Sequence, residues 1–300
     1  MKKRNIIILI LLSILIIGTG VIVLYSYQPG SQFKDVTIMN SELPDSDTEQ
    51  AEETKEEETQ EDPASETEQT PLSEVVVNVV ESTLDFFSMR ETQVTAIGDS
   101  LTQGVGAATE QGGYVGILDR AINQEKELVA FDNFGVRGNR SDQLLARLEK
   151  PEVVDSINQA DIVLITIGAN DIMQVVKENF TNLQMEDFNK ARVSYEDRLR
   201  QIFTKIHDIS PKADIYLLGF YDPFSQYFRE IKELGVIVEE WNGTSEKVTK
   251  DLDYATFIPT IDLFAGASEN LFAEDNFHPN DSGYKRMAQR VLDYLTNEEG

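Results

Sequence analysis

Residues 161–167 read Asp-Ile-Val-Leu-Ile-Thr-Ile, a run too continuously apolar for either side of a strand to face water. A strand buried on both faces needs layers above and below it, and the rest of the chain supplies them. Strand-like segments recur at Val94–Ile97, Glu127–Phe134, Asp214–Phe220 and Ala255–Leu263. Helical patterns separate them: Gly113–Asn123, Ser141–Glu149, Leu183–Asp208, and from Gln226 to about Asp251. In the long helix Leu199, Ile202, Phe203 and Ile206 fall at 3–4 spacing, and a closing helix puts Tyr284, Met287, Val291 and Leu295 on one face with Asp281 or Ser282 as its cap. Strands alternating with helices predict parallel β-α-β units, hence an α/β fold with a parallel five-stranded sheet covered on both faces. In such sheets ligands bind outside the carboxyl ends of the strands.

Only part of the 300 residues fits this pattern. Lys2, Lys3 and Arg4 precede an apolar run from Asn5 to about Leu24, interrupted by Ser13 and Gly18-Thr19-Gly20. About 20 such residues suffice to cross a bilayer. Residues 1–27 are therefore expected to be an N-terminal membrane anchor with the basic end in the cytoplasm and the remainder outside the cell. The alternative is a signal peptide cleaved near Gly18-Thr19-Gly20, leaving a secreted protein; against it, Val21–Tyr25 carry the apolar run past that site. Residues 28–71 are expected to be an acidic disordered linker. Ser41–Thr70 holds thirteen Asp or Glu against Lys55 alone, with almost no large apolar side chain to offset the entropy of ordering. The folded domain is expected over residues 72–300, entered through the apolar segment Leu72–Met89, whose period is ambiguous. The formal charge of −27, and the absence of a Lys/Arg cluster after Arg4, exclude a nucleic-acid or polyanion binder.

Four polar motifs fall at strand ends. Gly98-Asp99-Ser100-Leu101 follows the first strand and places a hydroxyl at the start of a helix; alone, Ser100 reads better as an ordinary helix cap. It is not the Gly-x-Ser-x-Gly elbow of α/β-hydrolases. Asn133-Phe134-Gly135-Val136-Arg137-Gly138 is a glycine-bearing turn after the second strand, where a glycine N–H can approach a ligand unobstructed. Arg137 could meet a substrate carboxylate or simply be solvated. Thr166-Ile167-Gly168-Ala169-Asn170-Asp171 follows the third, with Asn170 able to donate an amide N–H, or Asn170 or Asp171 to form an Asx turn or helix cap, and Asp171 assigned to structure. Asp275-Asn276-Phe277-His278-Pro279 follows the fifth. A serine hydroxyl is a weak nucleophile at neutral pH unless a base takes its proton, and an Asp three residues before a His can orient that base. The chain has two histidines, His207 and His278; His207 sits at the edge of a helix's apolar stripe and is read as structural. With no cysteine and no His-Glu-x-x-His, no metal site is expected.

In this order and at these strand ends the four motifs closely resemble the GDSL or SGNH hydrolase family, over roughly Val94–Leu295. The layout also looks like the membrane-anchored lipase/acylhydrolase members of Gram-positive bacteria. The resemblance implies a flavodoxin-like three-layer α/β/α sandwich and an exported serine esterase or acylhydrolase without a cofactor. It implies Ser100 as nucleophile, His278 as base and Asp275 as its orienter. The N–H groups of Ser100 and Gly138 and the side chain of Asn170 would form the oxyanion hole, although Gly135 also fits the loose pattern around Gly138. Family substrates are small-molecule, lipid or sugar esters, thioesters included. Tyr221 and Phe224, after the fourth strand, would line the substrate pocket or form a rigid turn, and Trp241 is read as core. A non-catalytic surface binding protein on the same fold is the alternative, and a flavin-binding flavodoxin-like protein a weaker one.

Overall fold

The computed structural model describes residue 87 and residues 91–296, apart from 110–111, 125, 180 and 225–231. The expected anchor, the linker and nearly all of Leu72–Met89 lie outside the described residues. Among the described residues, no helix is long and apolar enough to cross a membrane.

Five strands form one sheet: β1 (Thr92–Gly98), β2 (Val129–Gly135), β3 (Ile162–Thr166), β4 (Asp214–Leu218) and β5 (Ala255–Ile258). All neighbours pair in parallel, in the order β2-β1-β3-β4-β5. The helices are α1 (Ser100–Gln103), α2 (Gly113–Ile122), α3 (Ser141–Arg147), α4 (Pro151–Gln159), α5 (Ala169–Asn179), α6 (Met185–Ile209), α7 (Lys232–Lys250), α8 (Ile261–Phe264) and α9 (Asp281–Thr296). The three-layer α/β/α arrangement follows from side-chain alternation on the buried strands. Val163 and Ile165 of β3 join a core with Leu144, Val153, Ile157, Leu199, Ile202, Phe203, Ile206 and Trp241, contributed by α3, α4, α6 and α7. Ile162 and Leu164 point the other way, into a core with Leu118, Tyr284, Met287 and Val291 from α2 and α9. Phe87 is buried in this second core.

The chain runs outward from β1 to β2, then returns to the far side of β1 for β3. The reversal opens a crevice between the carboxyl ends of β1 and β3, where ligands bind in open sheets of this kind. The register makes that edge level, with Gly98 opposite both Gly135 and Thr166, and Thr166 opposite Leu218. The loops leaving these four residues therefore emerge at one height.

Four elements differ from the sequence-based expectation. Helix α4 is short, begins at Pro151 and keeps only Val153, Ser156 and Ile157 buried, too few positions to stand out as a period. Helix α5 begins at Ala169, so Asn170 and Asp171 occupy a helix's first turn rather than an isolated turn. The fifth strand ends at Ile258, and Ile261–Leu263 continue as helix α8; apolar character alone does not separate a strand from a short helical turn. Asn280, rather than Asp281 or Ser282, caps α9, its Oδ1 accepting from the Gly283 N–H at 3.0 Å.

Candidate active site

Ser100 is placed by the abrupt end of β1. Asp99 caps the four-residue helix α1, its Oδ1 accepting from the Leu101 N–H at 3.0 Å, and Gly104 ends the helix in a left-handed conformation at φ 86°. Gly135 has a packing role: a Cβ there would lie 2.1 Å from the backbone nitrogen of Gln103, so only glycine lets β2 approach α1 this closely. Gly138 differs. It has φ 77°, open space for 4 Å around the position a Cβ would take, and an exposed backbone. Of the two glycines, Gly135 is held by packing and donates its N–H to Asn133 Oδ1 at 2.9 Å, whereas Gly138 is exposed.

The His278 side of the site is a tight loop. Ala273 donates its N–H to the His278 carbonyl at 2.8 Å, while Asp275 Oδ1 accepts from the N–H groups of Phe277 (3.0 Å) and His278 (2.9 Å). Asn276 closes the turn at φ 53°, a conformation Asn tolerates better than most residues. The loop leaves Asp275 Oδ2 2.5 Å from His278 Nδ1, and His278 Nε2 2.9 Å from Ser100 Oγ. Ser100 and His278 are both buried. Burial pushes the Asp275 carboxyl up, but hydrogen bonds from the His278 ring and from two backbone N–H groups outweigh it and hold the group down at about 2. The carboxylate is therefore charged throughout the neutral range and can keep a proton on Nδ1, leaving Nε2 to accept one from Ser100.

Opposite lies Asn170. Its Nδ2 donates to the Asn139 carbonyl at 3.0 Å, and the residue lines the same cleft as Ser100. Gly138 immediately precedes Asn139, but is not itself among the residues lining that cleft. Asp171 is structural, as read from the sequence: it is buried, accepts from Ser141 through both N–H (2.9 Å) and Oγ (2.6 Å), and pairs with Arg198 at 3.1 Å. Asp99 is buried as well, and burial pushes its carboxyl up to about 6 despite hydrogen bonds from the Leu101 N–H and the Thr166 hydroxyl.

The cleft has about 530 Å³ of space, part of it open to solvent, and among the described residues its polar side chains are those of Asp99, Ser100, Asn170 and Tyr221. The remaining wall is apolar or aromatic, including Leu101, Ile172, Met173, Phe220, Val238 and Phe277. Phe224 and Tyr221 both line it, and Tyr221 does more: its hydroxyl donates to the Phe277 carbonyl at 2.7 Å, tying β4's loop to the histidine loop. Phe277 stands edge-on to the His278 ring at 5.3 Å. Arg137 is exposed, its N–H bound to Gln103 Oε1. His207 lies away from the site, stacked on Tyr254 at 3.9 Å, and Trp241 is fully buried against Tyr195. Among the described residues no three His, Cys, Asp or Glu side chains are grouped to hold a metal ion.

Sequence reasoning missed Asn139, Phe277 and Met173 as parts of this site. Met173 was within reach of it, because once Asn170 starts a helix a residue three positions on shares its face.

The model of the GDSL-like lipase/acylhydrolase family matches residues 96–286. The uncharacterized protein YpmR of Bacillus subtilis is 37% identical over 209 residues, spanning 68% of this chain and 82% of its own. The spore germination lipase LipC of Bacillus licheniformis is 28% identical over 214 residues, spanning 66% and 94%. Among solved structures, the lipase Lip_vut3 from a goat rumen metagenome superposes with a TM-score of 0.59 at 24% identity, covering 69% of this chain and 99% of its own, a likeness of fold.

Proposed function

Since the chain belongs to the GDSL-like lipase/acylhydrolase family and is a serine ester hydrolase of that type, we propose that it works through an acyl-serine intermediate on Ser100. The observation that carries this reading is the 2.9 Å and 2.5 Å relay from Ser100 Oγ through His278 to Asp275. Ser100 Oγ attacks the ester carbonyl carbon while its proton passes to His278 Nε2. The oxyanion accepts hydrogen bonds from the N–H groups of Ser100 and Gly138 and from Asn170 Nδ2. As the intermediate collapses, His278 returns the proton to the departing alcohol or thiol oxygen or sulfur. A water then repeats the sequence on the acyl-serine, with His278 as base, and releases the acid.

The apolar wall of the cleft supports an ester or thioester with a hydrophobic acyl group, because a bound sugar would leave most of its hydroxyls without partners there. One relative carries the name lipase. Each methylene buried along this wall is expected to raise kcat/KM about fourfold until the cleft is filled. A series of esters from acetate to octanoate on the soluble domain tests this: a rising series abolished by Ser100→Ala agrees, and a preference for acetylated sugars with a flat acyl series refutes the acyl assignment. The basic residues and apolar run at the N-terminus support an anchored enzyme facing outward, over a linker that keeps it off the bilayer. Protease added to intact cells should release active domain by cutting within Ser41–Thr70; protection until lysis would refute that topology.

A further inference from the structure

The proposed chemistry uses three donors, and a separate set of contacts connects the segments that carry them. We propose that Arg147 and Asn139 are positioning residues for the oxyanion hole, Arg147 fixing Asn139 and Asn139 orienting the Asn170 amide. The inference rests on the oxyanion role proposed for Asn170, and adds what holds its amide.

Arg147 Nη1 donates to Asn139 Oδ1 at 2.8 Å and to the Gly98 carbonyl at 3.3 Å, and Nη2 donates to the Phe134 carbonyl at 2.6 Å. One guanidinium thus spans the end of β1 two residues before Ser100, the end of β2, and the residue that follows Gly138. Asn139 is buried and uses three groups at once. Its side chain accepts from Arg147, its N–H donates to the Val136 carbonyl at 3.1 Å to close the turn around Gly138, and its carbonyl accepts from Asn170 Nδ2 at 3.0 Å. That last bond takes one hydrogen of the Asn170 amide and sets the plane of the group. Asn170 lines the same cleft as Ser100, so the second hydrogen is the one the proposed oxyanion would accept. Because arginine only donates, the Asn139 oxygen must face it, which leaves no freedom to flip that amide.

Satisfying strand-end carbonyls is not a sufficient reason for the arrangement. The Gly98 carbonyl already accepts the Val136 N–H at 3.0 Å, so its longer contact with Arg147 is dispensable for that purpose. The planar fork supplies a fixed spacing among three segments, which a lysine's single ammonium cannot reproduce. Misplacing a catalytic donor by about 1 Å can cost about 10²-fold.

The test is kinetic, on the full chain with a short-chain ester. Arg147→Lys should lower kcat about 10–100-fold with KM unchanged, and Asn139→Ala should act in the same direction. In an Asn170→Ala background the same Arg147→Lys change should cost no more than about twofold, because the group it orients is gone. If Arg147→Lys does not fold, Asn139→Ala carries the measurement, since it leaves the bonds from Arg147 to Gly98 and Phe134 in place. An equal cost in both backgrounds, or a loss confined to KM, would overturn the positioning role while leaving the oxyanion reading intact. Full kcat in Asn170→Ala alone would remove the oxyanion reading, and this inference with it.

Discussion

The two sides of the cleft are built differently. The histidine side is local: Asp275 binds backbone N–H groups two and three residues ahead and the ring of the same His278, and Ala273 closes the loop on His278's own carbonyl. The amide side is assembled from afar. Asn170 meets Asn139 across 31 positions, Asp171 meets Ser141 across 30, and Arg198 reaches Ser141 across 57. A local loop keeps its geometry through its own hydrogen bonds. A long-range one keeps it only while the whole fold does. The histidine side should therefore fail by chemistry and the amide side by a mixture of chemistry and stability.

The largest effects belong to the relay. His278→Ala and Ser100→Ala should each lower kcat on the order of 10⁶-fold, and the double variant should be hardly worse, because the pair acts as one unit. Asp275→Asn should cost about 10⁴-fold through the wrong tautomer. Steady-state kinetics on folded variants decides this, and additive losses would mean that the two residues act separately. On the amide side, Asn170→Ala should lower kcat about 10²–10³-fold with KM little changed; unchanged kcat in a folded variant would make Asn170 a helix-start residue only.

The stability contrast runs the other way. Asp171→Ala leaves Arg198 without its carboxylate partner and Ser141 without its acceptor, and should destabilise the domain by about 3 kcal/mol in urea at constant m-value. Asp275→Ala should cost less, because its carboxylate is partly exposed and its bonds stay within one loop. Equal losses would erase the distinction between the two sides.

A last effect, spread over a pH window, concerns the buried Asp99. Its carboxyl sits at about 6 in the fold, above its ordinary value near 3.9, so the folded chain holds that proton more tightly than the unfolded chain does. Its contribution to stability is full below about pH 4, is lost as pH rises to about 6, and is level above. Asp99→Asn, which can keep the bonds from Leu101 and Thr166, should remove that slope, at most about 3 kcal/mol across the window. Parallel profiles for wild type and variant would show that Asp99 does not titrate there.

The same division explains what is legible in the sequence. The parallel sheet can be read from Ile162–Thr166 because a strand buried on both faces leaves a continuous apolar run, and the 275–279 loop can be read because its partners are neighbours in sequence. Asn139 and Arg147 carry no such mark. An arginine in the last turn of a helix and an asparagine after a glycine are ordinary local choices, and their importance comes from where β1, β2 and β3 end relative to one another. Tyr221 is placed near the pocket by its position after β4, yet its bond to the Phe277 carbonyl depends on a loop 56 residues away. Helix α5 escapes a sequence reading because its first turn, Ala169-Asn170-Asp171, has the residues of a turn in its own right.

The most direct measurement is the intact mass of the protein after treatment with a fluorophosphonate, followed by peptide mapping. One adduct on Ser100 is expected in the wild type, formed more slowly in Asn170→Ala and absent near neutral pH in His278→Ala. A folded wild-type protein that takes no adduct, or one modified elsewhere while Ser100→Ala still hydrolyses esters, would contradict the acyl-serine mechanism.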